Sequence, residues 1–182
     1  MKILLVVDAQ NDFVTGALAN PEAQKVIPVL YNKVKKRIEE GWIVMFTQDT
    51  HWAGTYEETM EGKCLPIPHC LDESWGWYIV EELHEFYEGC WRLVKHRFGD
   101  IHLYERIEKC VFDKLADEPI EEIELVGFCT DICVVSNALI LKASVYGENT
   151  IISCDSSCCA GTTVEAHEAA LKVMESCQVR VS

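Results

Sequence analysis

The sequence predicts a three-layer α/β/α sandwich around a mainly parallel sheet. Short apolar runs such as residues 3–7 read as buried strands, and the acidic-apolar run 121–126 reads as another. Helical periodicity fills the intervals between them, the alternation expected of βα units. Residues able to do chemistry (Asp8, Asp49, Lys95 and Cys133) fall at or just beyond strand ends, where such sheets gather their sites.

The first strand, at 3–8, is an apolar run ending in the carboxylate of Asp8. Residues 21–40 place apolar side chains at Val26, Leu30, Val34 and Ile38, a helix that Gly41 stops. Residues 42–47 form a second buried strand. The stretch 48–76 is polar, punctuated by Gly and Pro, and rich in His and Trp. It is too long for a simple connector and is expected to be functional. A helix is predicted over 77–87, a short strand over 92–95 and a helix over 101–110. Strand 121–126, helix 132–146 and strand 150–153 follow. Thr162-Thr163-Val164-Glu165 reads as a capping box opening a helix through Glu175, and 179–181 as a last strand.

With 182 residues, 49% of them hydrophobic, the chain suits a single domain spanning 1–182 with a substantial core. A formal charge of −14 repels phosphate backbones and anionic lipid, so nucleic acid and membrane partners are not expected. No apolar run approaches bilayer length and no secretory signal is visible, which makes the cytoplasm the expected compartment. The ten cysteines then read as reduced and mostly buried. A zinc site from Cys129, Cys133, Cys154, Cys158 and Cys159 is disfavoured, because C-x3-C is not the usual knuckle spacing.

The most informative stretch runs from Val126 to Ser136, a strand, a Gly-containing turn and a helix opening near Cys133. A thiol at such a junction meets free backbone N–H groups and the helix dipole, which should lower its pKa and favour a nucleophilic thiolate. Asp8 and Lys95, from two other strand ends, could supply its base and its cation. Backbone N–H groups at Cys129 and Cys133 could form an oxyanion hole. A second constellation lies in 48–76: Asp49 and His51 at i and i+2, then His69, a mixed oxygen and nitrogen donor set for zinc, iron or manganese. Glu61 is a candidate fourth ligand. His84, His96, His102 and His167 read as surface or packing residues, and one of Trp52, Trp75 and Trp77 is expected to wall the pocket. Taken singly, a strand-end Asp reads as a cap, a Lys as a solvated charge and a Cys as core.

Val7-Asp8-Ala9-Gln10-Asn11-Asp12-Phe13, Val94-Lys95-His96-Arg97-Phe98-Gly99 and Gly127-Phe128-Cys129-Thr130-Asp131-Ile132-Cys133-Val134 resemble, in order, three motifs of the isochorismatase-like cysteine hydrolase superfamily. The resemblance implies the isochorismatase-like (Rossmann-like) hydrolase fold, an Asp8-Lys95-Cys133 catalytic triad and a cis peptide at Phe128–Cys129. The D-x-H and P-H-C patterns at Asp49-Thr50-His51 and Pro68-His69-Cys70 are similar to the nicotinamidase branch, in which a divalent metal, zinc foremost, meets the pyridine nitrogen of the substrate. That branch implies hydrolysis of nicotinamide to nicotinate and ammonia through a thioester, an aromatic ring at Phe13 against the substrate ring, and a homo-oligomer. The sequence departs from the branch where Cys70 runs into Leu71-Asp72-Glu73-Ser74-Trp75-Gly76 rather than a Gly-Thr turn. The alternatives are an N-carbamoyl, ureido or other small amide as substrate, a non-catalytic binding protein of the same fold, and a redox role for the cysteines. Isochorismatase activity itself fits less well, since its dianionic substrate would not need the His/Asp set.

Overall fold

The computed structural model describes residues 1–112, 118–144 and 149–182. Six strands, β1 (Lys2–Val7), β2 (Ile43–Asp49), β3 (Trp91–Lys95), β4 (Glu122–Phe128), β5 (Ile151–Ala160) and β6 (Arg180–Val181), form one sheet. Their order is β3-β2-β1-β4-β5-β6, and every neighbouring pair is parallel. Ile3 through Val7 are all fully buried, as a central parallel strand covered on both faces requires.

The helices are α1 (Asn11–Val14), α2 (Pro21–Glu39), α3 (Met60–Cys64), α4 (His84–Tyr87), α5 (Leu103–Cys110), α6 (Val135–Ala143) and α7 (Val164–Ser176). From β1 the chain crosses through α2 to β2 on one side, while from β4 it crosses through α6 to β5 on the other. Right-handed crossovers in opposite directions put α2 on one face and α6 and α7 on the other. These are the three layers the sequence predicts, and the switch point falls between the carboxyl ends of β1 and β4. No helix among the described residues is long and apolar enough to cross a membrane.

Asn20 caps α2 by accepting from the N–H groups of Glu22 and Ala23, and Pro21 takes the first turn, where no N–H is needed. Gly41, at φ +80°, follows Glu40 in the left-handed conformation that ends helices. The buried stripe is Ala23, Ile27, Leu30 and Val34, rotated from the predicted one, so Val26 lies at its margin and Ile38 is exposed.

Other boundaries differ from the sequence prediction for local reasons. The helix expected over 77–87 is only a 3-10 turn at Glu81–Leu83 followed by α4. Residues 78–80 are drawn out instead to pair with 9–11, through Asn11 N–H to Tyr78 O (2.9 Å) and Val80 N–H to Ala9 O (3.0 Å). Helix 132–146 begins as a π-helical turn, Thr130–Val134, before α6; residues 145 and 146 of that prediction lie outside the described residues. The cap of α7 is Thr163, which accepts from Ala166 N–H, because Thr162 instead binds Asp131.

Strand β5 runs far beyond the predicted 150–153. Leu125 pairs with Cys154 and Gly127 with Cys159, so residues 155–158 bulge out of the ladder, which hides the strand in a Ser/Asp/Cys-rich sequence. The bulge is held by a charge cluster on α2. Lys33 Nζ lies 2.6 Å from Asp155 and 2.9 Å from buried Glu124, which Arg37 also grips through Nε at 2.8 Å. Burial alone would raise the Asp155 carboxyl, but Lys33 and Ser157 outweigh it and hold the group below its ordinary 3.8. A depressed carboxylate stabilises the fold above its unfolded-state pKa, and that contribution fades as pH falls through the folded-state value. Asp155→Asn should therefore cost about 1 kcal/mol near pH 6 and progressively less as pH drops below 3.8. Urea midpoints measured across that range check this; a pH-independent difference would refute it.

Candidate active site

The site is built where β1 and β4 come closest. Gly127 opposes Val7 at φ +116°, and a Cβ there would sit 2.1 Å from the Val7 carbonyl oxygen, so only glycine permits this approach. Beyond Gly127 the Phe128–Cys129 peptide is cis, as the resemblance implies. Beyond Val7 the chain turns at Asp8, a non-glycine residue at φ +48°, an uncommon conformation that tends to cluster at functional sites. Thr47 on β2 holds it there: its hydroxyl accepts from Asp8 N–H at 3.2 Å and donates to Asp8 Oδ1 at 2.6 Å.

Lys95, at the end of β3, is 3% exposed and reaches across β2 to this corner. Its ammonium lies 2.6 Å from Asp8 Oδ2, 3.3 Å from Asp49 Oδ1 and 3.6 Å from Cys133 Sγ, and it donates to Arg97 O at 3.0 Å. Burial would lower the Lys95 pKa, but Asp8, Cys133 and Asp49 reverse this and raise it well above the usual range. Burial raises the Asp8 carboxyl, opposed by Lys95 and helped by Asp49. The thiol overturns the sequence expectation. Burial pushes Cys133 well above its ordinary 9.0, since Lys95 is shared with the carboxylates of Asp8 and Asp49, which push the same way. The nearby lysine lowers it but does not offset the burial.

The donor group of the 48–76 segment assembles beside this corner. Ligand atoms of Asp49, His51, Glu61 and His69 all lie within 4.8 Å of one another, the one such group among the described residues, and it includes no cysteine. His51 Nε2 is 2.9 Å from Asp49 Oδ2, and His69 Nε2 is 3.7 Å from Asp49 Oδ2 and 3.6 Å from Glu61 Oε1. His69 Nδ1 donates to Ile67 O at 2.9 Å, which leaves Nε2 with its lone pair toward the group. Burial would raise Asp49, but Lys95 and His51 overcome it and hold the carboxyl at about 2. Two imidazole and two carboxylate donors, mutually this close and largely buried, fit a zinc, iron or manganese ion.

Both constellations open into one cavity of about 820 Å³. Asp49, His51, Glu61, His69 and Cys133 form its polar side; Phe13, Leu18, Met60, Leu65, Phe98 and Ile132 line the apolar side, with exposed Cys64 also in the wall. Phe13 meets His69 edge to face at 5.6 Å. Cys129 is in the wall too, its thiol pushed up to about 12 by burial and Asp131. None of the three tryptophans lines the cavity, contrary to expectation. Trp52 instead stacks on His96 at 4.5 Å, Trp75 is exposed, and Trp77 Nε1 donates to Thr50 Oγ1 at 2.7 Å.

Two supporting residues went unread. Gln10, fully buried, clamps the backbone of Asp49, donating to its C=O at 2.9 Å and accepting its N–H at 2.8 Å. Asp12 accepts from Cys70 N–H at 2.7 Å and so ties the turn that carries His69 to α1. Gly76 leaves the room, since a Cβ there would lie 2.0 Å from the Asp12 carboxylate. Both sit inside the Asp8–Phe13 motif, where spacing alone gives them no role. His51 reaches His69 because residue 51 bridges Leu71 in parallel, with His51 N–H on Cys70 O at 3.0 Å.

The family model for the isochorismatase domain matches residues 2–182. The nicotinamidase of Escherichia coli (strain K12) is 28% identical over 195 residues, covering 96% of this chain and 90% of that protein. The crystal structure of nicotinamidase/pyrazinamidase PncA from Bacillus subtilis superimposes with a TM-score of 0.82 at 25% identity, covering 100% of this chain and 98% of that one. The pyrazinamidase of Pyrococcus horikoshii, solved in complex with zinc, shares the fold with a TM-score of 0.78 at 23% identity, covering 100% of this chain and 98% of that one.

Proposed function

The chain belongs to the isochorismatase family, and on that footing we propose that it is a metal-dependent cysteine amidohydrolase that converts nicotinamide and water to nicotinate and ammonia. The observation that carries this reading is that Cys133, backed by Lys95 and Asp8, and the Asp49/His51/Glu61/His69 donors face a single cavity. A divalent ion held by those four residues, zinc as in the complex of the Pyrococcus horikoshii pyrazinamidase or iron or manganese, would supply a cationic anchor for the ring nitrogen.

The chain's own residues do the rest. Phe13 lies against the ring and fixes its plane. Burial raises the Cys133 thiol, so attack on the carboxamide carbon calls for a base to take its proton as the C–S bond forms. Asp8 takes that proton, and its raised affinity for one suits it to give the proton back to the departing ammonia. Lys95 holds Asp8 and Cys133 together and meets the charge that develops on sulfur. Backbone N–H groups of Cys129 and Cys133 receive the carbonyl oxygen as it becomes an oxyanion. Water then adds to the thioester with Asp8 as base, releasing nicotinate and restoring the thiol.

Ammonia release from nicotinamide by zinc-, manganese- or iron-replete protein tests the assignment, with an N-carbamoyl amino acid assayed in parallel. Turnover of nicotinamide, with the N-carbamoyl amide slower, is the expected result. Turnover of the N-carbamoyl compound alone would discard nicotinamide and keep the hydrolase. That second reading draws on the cavity volume, ample for more than one six-membered ring, and on the divergent 71–76 segment.

A further inference from the structure

We propose that Asn137 is a positioning residue that sets the separation of Lys95 from Cys133; the inference rests on the catalytic reading above. Asn137 lies on α6 one turn beyond Cys133 and is fully buried. Its amide nitrogen donates to Cys133 O at 2.8 Å and to Phe98 O at 3.1 Å, and its oxygen accepts from Asp100 N–H at 3.0 Å. One side chain thus joins the nucleophile's own backbone to the loop that follows Lys95.

The bonds close a ring. Lys95 Nζ donates to Arg97 O at 3.0 Å and lies 3.6 Å from Cys133 Sγ; Phe98, next along, is held by Asn137, which returns to Cys133. The loop packs closely on α6: a Cβ at Gly99 would meet the tip of the Ile140 side chain at 2.5 Å and Ser136 Cβ at 3.2 Å. Its far end is fixed by Arg106, which pairs with Asp100 and donates to Val94 O at 2.8 Å. Asparagine is a poor residue for a helix interior. A residue serving α6 alone would need only the bond to Cys133 O, and the two bonds to the loop go beyond that.

Asn137→Ser keeps a hydroxyl able to bond the carbonyl one turn back and loses both ties to the loop. Asn137→Asp keeps the size and the bond from Asp100 but sets a carboxylate against two carbonyl oxygens. On metal-replete protein both should lower kcat for nicotinamide roughly 10- to 100-fold, as expected for misplaced reacting groups, with KM within about threefold. Glu124→Gln, remote from the site, serves as the structural control: it should lower the melting temperature and leave kcat unchanged. Crystal structures of the folded variants should show the Lys95–Cys133 contact lengthened from 3.6 Å. Wild-type kcat in a folded Asn137→Ser protein, or an unchanged Lys95–Cys133 contact, would overturn the proposal. If the wild-type protein releases no ammonia from nicotinamide, the substrate assignment fails instead, and the crystallographic distance still decides the role of Asn137.

Discussion

Cys133→Ala should leave a folded protein whose ammonia release falls by about 10⁴-fold or more, the scale of losing a catalytic nucleophile. The side chain is small and 4% exposed, and Lys95 Nζ contacts its sulfur at 3.6 Å. Removing the sulfur costs no more than about 1–2 kcal/mol of stability. Lys95 keeps Asp8, Asp49 and Arg97 O, so no buried charge is stranded. The donor group is untouched, and metal content should match the wild type. A coupled ammonia assay, a thermal melt and metal analysis of the same sample test all of this. Wild-type turnover in Cys133→Ala would end the thioester mechanism.

The second large effect concerns the donors. His51→Ala combined with His69→Ala should lose the ion on dialysis, because two of four ligands are gone. The affinity loss should exceed the ~10–100-fold penalty of removing an outer partner. Asp49 is a poorer choice for this test, since it also binds Lys95 and would disturb the thiol corner at the same time. With Asp8, Lys95 and Cys133 left in place, weakened nicotinamide binding should accompany the loss of metal. Metal loss with unchanged nicotinamide affinity would remove the ion from substrate binding.

Much of this was legible in the chain because parallel sheets write their chemistry at strand ends. Asp8, Asp49 and Lys95 lie at or just beyond the ends of the neighbouring strands β1, β2 and β3, and Lys95 reaches across β2 to meet the other two. The donor set was legible from residue type and spacing, and the structure assembles it. What spacing could not carry was burial. The Cys133 thiol is pushed up because it is buried in a corner that holds two carboxylates to one lysine, a fact that belongs to packing. Local pattern also misled at 78–80, where pairing with 9–11 overrides a helical period, and at β5, where a bulge breaks the alternation. Gln10, Asp12 and Asn137 share a different obscurity: each acts on the backbone of another segment, and a side chain's partner across the fold leaves no local trace.

Cys64 in the cavity wall bears on how the enzyme would be interrogated. It is exposed where Cys133 is buried, so a thiol reagent entering the cavity has two cysteines to modify. A bulky adduct there would occupy part of the cavity and lower turnover without touching the nucleophile. Inactivation by a thiol reagent, and protection by substrate against it, would then read identically for either cysteine. Covalent inhibitors screened against this protein report on Cys133 only in a Cys64→Ser background or with the adduct mapped by mass spectrometry. The same wall thiol offers a handle for a reversible tether that fills the cavity.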